Sequence, residues 1–178
     1  MRVATLTVIS LLLPNGPVVA QSDAALAQVA EGWGRGECNL LTHVAENPET
    51  GQWETVENSP WGRWTIRRVG PHSVEYTMSS GETRIVELAD GAYVDRLAES
   101  AEQPPTESEK WTIAEHGIHG PENWRLLLLP PPFPGAPEGM RLYSELIMAG
   151  DLYVWTNWLE EEGVMRRTVY SACKLAER

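Results

Sequence analysis

The sequence predicts an all-β domain, an antiparallel meander closed into a barrel, with a short N-terminal helix ahead of it. Three observations carry that expectation. Segments of alternating apolar and polar residues recur about every 8–12 residues, as in meander proteins. Tight-turn residues separate them, Asp90-Gly91 being the strongest hairpin signal. Only one stretch, 22–32, has the composition of a helix. So many strands joined by short turns would leave exposed edges in an open sheet, and closure removes them. A β-sandwich is the competing arrangement.

The N-terminus reads as an export signal. Arg2 supplies a positive start, and 3–13 is apolar apart from Thr5, Thr7 and Ser10. Val18-Val19-Ala20 then places small residues where signal peptidase needs them, which puts cleavage after Ala20. The apolar run, about 11 residues, is too short to span about 30 Å of hydrocarbon as a helix. An uncleaved anchor or a buried strand is the competing reading. Residues 1–20 are therefore taken as a signal peptide and 21–178 as a single β-barrel domain, periplasmic or secreted. No integral membrane segment is expected in the mature chain.

Ser22 or Asp23 caps the helix, and Ala24, Ala25, Leu26, Ala27, Val29 and Ala30 favour it until Gly32. Strands at 39–44 and 52–56 are the less regular ones. Residues 73–78 alternate well, with Val74, Tyr76 and Met78 on one face. Ser79-Ser80-Gly81 turns the chain into 83–89, and Asp90-Gly91 joins that segment to 92–97. A polar loop covers 100–108. Residues 110–115 place Trp111 and Ile113 on one side, whereas 123–129 is continuously apolar, as in a strand buried on both faces. Residues 129–137 hold five prolines and must leave the sheet. Strands at 141–148, with Leu142, Leu146 and Met148 on one face, at 152–159 and at 164–173 complete the meander. Gly150-Asp151 and a solvated Glu160-Glu161-Glu162-Gly163 turn connect them.

A formal charge of −11, from 14 basic against 25 acidic residues, argues against nucleic acid and anionic lipid surfaces, which need a basic face. Cys38 and Cys173 are the two cysteines, and in an exported protein they are expected to form one disulfide. Two separate buried thiols are the alternative.

Eight tryptophans against a single phenylalanine form the compositional anomaly. Each offers a large apolar face and one N–H donor, which suits a pocket as well as a core. Gly51-Gln52-Trp53 and Gly62-Arg63-Trp64 both have the form G-x-W, and the second leads directly into Thr65-Ile66-Arg67-Arg68-Val69. In that respect the chain resembles the lipocalins and the wider calycin group. The resemblance implies a lipocalin-like barrel that binds a small apolar or amphipathic molecule in its lumen, without catalytic residues. It also implies a late-strand arginine, Arg166 or Arg167, stacked near the motif's Trp64.

Trp64, Trp111, Trp124 and Trp155 are the expected ligand-binding residues, with Arg67 and Arg167 as candidates for a head group. Arg63, Arg67, Arg68, Arg166 and Arg167 lie on strands expected to be neighbours in a closed barrel. Salt bridges to the many acids are the competing role for these arginines. Glu115-His116-Gly117-Ile118-His119-Gly120 is the only histidine cluster; its two glycines suggest an exposed loop, with His116 and His119 as a weaker metal-site alternative. No nucleophile elbow, P-loop or dinucleotide fingerprint occurs, and no cofactor is implied. Enzymatic activity is therefore not the favoured reading. The alternative from a different class is an exported module that binds a basic protein through its acidic surface and the Pro-rich loop around Phe133.

Overall fold

A computed structural model describes residues 23–34, 36–56, 63–131, 137 and 139–177. Residues 1–20, expected from sequence to be a signal peptide, Gly62 of the G-x-W motif, and Phe133 with most of the Pro-rich loop lie outside the described residues.

The helix α1 (Asp23–Trp33) is followed by β1 (Gly36–Glu46), β2 (Trp53–Thr55), β3 (Arg63–Gly70), β4 (Ser73–Met78) and β5 (Thr83–Ala89). Next come β6 (Ala92–Leu97), β7 (Lys110–Ile118), β8 (Asn123–Leu129), β9 (Met140–Ala149), β10 (Leu152–Glu161) and β11 (Val164–Glu177). From β3 to β11 each strand pairs with the next in the chain, and all pairs are antiparallel. β11 then pairs with β1 and β1 with β3, so ten strands close a ring. The short β2 lies outside that ring, against the far half of β1. This closed antiparallel barrel is the predicted fold and is consistent with a calycin-like architecture. Lipocalins have eight strands, so the strand number differs. Trp64 also sits on the ring's second strand, because β1 precedes it.

Turn chemistry sets the hairpins. Asp90 and Gly91 both have positive φ, 52° and 72°, as the two-residue turn between β5 and β6 requires. Glu162 and Gly163 (52° and 80°) do the same between β10 and β11. The acidic run is thus only half turn. Glu160 and Glu161 belong to β10, where Glu160 accepts a 2.6 Å hydrogen bond from the Tyr143 hydroxyl.

One further expectation is corrected. β8 is not buried on both faces: Trp124, Leu126 and Leu128 point inward, while Asn123 and Arg125 are exposed. Its leucine run conceals an ordinary one-sided alternation. On β9, Leu142, Leu146 and Met148 share one face as expected; Leu146 and Met148 are buried beside Ser144, and Leu142, at the strand's outer end, is 37% exposed.

Helix α1 plugs one end of the barrel. Leu26, Val29, Ala30 and Trp33 are fully or almost fully buried there, in one apolar cluster with Val74, Val86, Leu88, Ile113 and Met148. Two contacts fix the helix to this end: His72 Nε2 lies 2.9 Å from the Asp23 carbonyl oxygen, and Gly32 packs directly on the Pro121 carbonyl. Cys38 and Cys173 form a disulfide with Cα atoms 5.5 Å apart, on the neighbouring strands β1 and β11. The bond therefore staples the seam at which the ring closes, and both sulfurs' residues are buried.

Candidate functional site

Beyond the floor made by α1, the lumen holds a cavity of about 200 Å³. Its wall is mainly aromatic because inward positions on successive strands carry rings: Trp64 on β3, Tyr76 on β4, Tyr93 on β6, Trp111 on β7, and Tyr153 and Trp155 on β10. Trp33, from the end of α1, closes the bottom. The Trp33 and Tyr153 rings stack with centroids 5.2 Å apart, and Trp64 packs at 5.5 Å on Tyr76 and 6.2 Å on Tyr153. These stacked, tilted and edge-on contacts pack the lining rings against one another. Burial pushes the Tyr93 and Tyr153 hydroxyls well above their usual range, so both stay neutral.

Two polar groups interrupt the aromatic lining. On the β4–β6 wall, Asp95 accepts a 2.7 Å bond from Arg84 Nε at Oδ1 and a 2.8 Å bond from the Tyr76 hydroxyl at Oδ2. Arg84 also donates to Glu82 at 3.1 Å and to the Asp95 carbonyl oxygen at 3.2 Å. Desolvation pushes the Asp95 carboxyl up, and the Arg84 bond and charge offset only part of that. Burial pulls Arg84 down, but its bond and charge contact with Asp95 outweigh this and leave the guanidinium above its ordinary value. On the β9–β10 wall, Asn157 Oδ1 accepts from Ser144 Oγ at 2.6 Å and from Trp155 Nε1 at 3.0 Å. In a ring of ten strands β5 and β10 stand five steps apart, so the two polar groups occupy opposite walls.

Of the residues expected from sequence, Trp64, Trp111 and Trp155 line this cavity. Trp124 does not. It lies beneath, almost fully buried, with its ring 6.4 Å from Trp33 and 6.3 Å from Tyr153. Arg67 and Arg167 are not brought to the cavity. Arg67 is 68% exposed and bonds Glu75 at 2.6 Å. Arg167 lies on the outer face, 4.8 Å above the Trp158 ring and 5.3 Å from Tyr170. Its aromatic partner is thus Trp158, not Trp64. The arginines of β3 and β11 do not cluster either, because β1 runs between those strands. Arg63 pairs with Glu37 and Arg166 with Glu46 in separate surface bridges.

The histidine cluster is also placed differently. Glu115, His116 and Gly117 belong to β7, paired with Leu127, Leu126 and Arg125 of β8. The apolar β8 supplies a partner that lets the ladder run through Gly117 rather than ending at residue 115. His116 and His119 are exposed. Among the described residues no three His, Cys, Asp or Glu side chains gather as a metal site.

Sequence reasoning missed Trp33, Tyr76, Tyr93, Tyr153, Arg84 and Asp95. The signal for the charged pair was present. Arg84 shares a face with Val86 and Leu88, and Asp95 shares one with Tyr93; a charge on the inward face of a strand is a candidate functional position. Compared with known proteins, the chain matches no family model and no curated protein.

Proposed function

We propose that this is an exported, lipocalin-like barrel that binds one small, flat, amphipathic molecule in its lumen. The observation that carries the reading is the cavity of about 200 Å³, lined by aromatic side chains and carrying polar groups on opposite sides. Aromatic walls with a few placed polar groups are the usual composition of a small-molecule site. The size sets the scale of the ligand. A dry cavity of about 150 Å³ holds benzene, so one of about 200 Å³ suits a one- or two-ring compound rather than a long acyl chain. Export to the periplasm or outside the cell is supported by the apolar N-terminal segment and by the disulfide.

The test is isothermal titration of the purified protein with indole, repeated on Ser144→Phe, which adds a ring at a cavity-lining position. Indole is expected to bind the wild type and raise its unfolding temperature, and to lose affinity for a folded Ser144→Phe variant. Equal binding by both proteins would place the indole elsewhere and overturn the reading.

A further inference from the structure

We infer that the cavity selects a small aromatic cation, a ring bearing a protonated amine, whose ammonium group sits against Asp95. This rests on the ligand-binding reading above and assigns its chemical class. Asp95 is the ionisable acceptor on the cavity wall, and its two carboxylate oxygens are held apart in function by Arg84 at 2.7 Å and Tyr76 at 2.8 Å. Each of these oxygens uses one lone pair in those bonds and keeps a second for a donor from the ligand. The neighbouring cation is already engaged. Arg84 directs Nε to Asp95, one terminal nitrogen to Glu82 and the other to the Asp95 carbonyl. An anion drawn to Arg84 would lie beside two carboxylates, those of Asp95 and Glu82, and would be repelled.

The rest of the lining agrees in sign. The lining is rich in aromatic rings, Trp64, Trp111, Trp155 and Tyr93 among them, and the face of such a ring attracts a cation and repels an anion. On the opposite wall, Asn157 Oδ1 is occupied by Ser144 and Trp155, so that side orients neutral polar atoms and adds no positive charge. The protein's overall charge of −11 enriches cations at its surface before any contact is made.

Three compounds of nearly equal size, one cationic, one neutral and one anionic, test this on the purified protein: 2-phenylethylamine, 2-phenylethanol and phenylacetate. The expected order by isothermal titration is amine, then alcohol, then carboxylate, with the amine about tenfold or more tighter than the alcohol, as a charge-assisted hydrogen bond provides. With Asp95→Asn, the ratio of amine to alcohol affinity is expected to fall toward one. Phenylacetate binding best would overturn the inference and make Arg84 the anchor. Equal affinities for amine and alcohol would overturn the charge selection while leaving the ligand-binding reading intact. If none of the three binds, and indole does not bind either, both fall. The wild-type order decides the matter alone if Asp95→Asn does not fold.

Discussion

Replacing Gly32 with alanine tests whether the floor of the cavity is fixed by close backbone contact. Gly32 is buried near the end of α1, and a Cβ there would stand 1.6 Å from the Pro121 carbonyl oxygen and 2.5 Å from its carbon. The obstacle is backbone, so no side chain can rotate away. Either α1 or the β7–β8 connection must move by more than an ångström. Leu26, Val29, Ala30 and Trp33 all pack from the same helix with at most 2% exposure, and they would lose contacts together. Overpacking of this kind costs about 1–3 kcal/mol or more, against which the better helix propensity of alanine returns at most about 1 kcal/mol. A net loss of about 2 kcal/mol lowers the unfolding temperature of a chain this size by about 4–8 °C. Thermal unfolding followed by far-ultraviolet circular dichroism measures it, with the exposed Ala24→Gly as a control for propensity alone. The near-ultraviolet signal should change as well, because Trp33 stacks on Tyr153 at 5.2 Å. An unchanged or raised unfolding temperature would refute the reasoning, since an unconstrained helical glycine gains stability on becoming alanine.

Two further outcomes are expected. Opening the disulfide in the double variant Cys38→Ser, Cys173→Ser should cost about 4–5 kcal/mol, the chain-entropy value for so long a loop, here with its ends 135 residues apart. Urea unfolding with and without reductant measures this, and matching midpoints would contradict it. Stability should also carry a signature of His43, whose Nδ1 lies 2.5 Å from Ser171 Oγ and whose pKa burial holds below the ordinary 6.5. The neutral ring is the one the fold accepts, while the unfolded chain protonates first as pH falls. Its contribution is therefore intact above pH 6.5 and is lost as pH drops below that value. In urea unfolding at pH 7.5 and pH 5, the stability gap between wild type and His43→Gln should narrow on the acid side; a gap independent of pH would count against this role.

The barrel was legible in the sequence because its hairpins are local. Asp90-Gly91, Gly150-Asp151 and Glu162-Gly163 each set a turn from two adjacent residues, and alternation in 73–78 named the inward face directly. Ring closure was harder to read, since β1 carries a bulge near Leu41 that shifts its register against β11 and exposes that leucine. The tryptophans were found by composition, yet composition cannot separate Trp124, beneath the cavity, from Trp111 and Trp155, which line it. That distinction depends on how far along each strand the helix plug reaches. The arginines misled for a related reason. Arg67 and Arg167 stand out by clustering in sequence, but each faces outward, whereas the isolated Arg84 falls on the face of Val86 and Leu88.

The seam between β1 and β11 has a kinetic consequence. Every other junction of the ring except β1 with β3 is a pairing of neighbours along the chain, and such contacts form early. Closing β1 against β11 must instead gather segments more than a hundred residues apart, from Gly36↔Glu177 to Ala45↔Val169. Until then the nascent meander carries a free edge at each end, which is the form most open to pairing with another chain. Closing this last lap of the ring is therefore the expected slow step of folding, and a Cys38–Cys173 bond formed there would act as a latch against reopening.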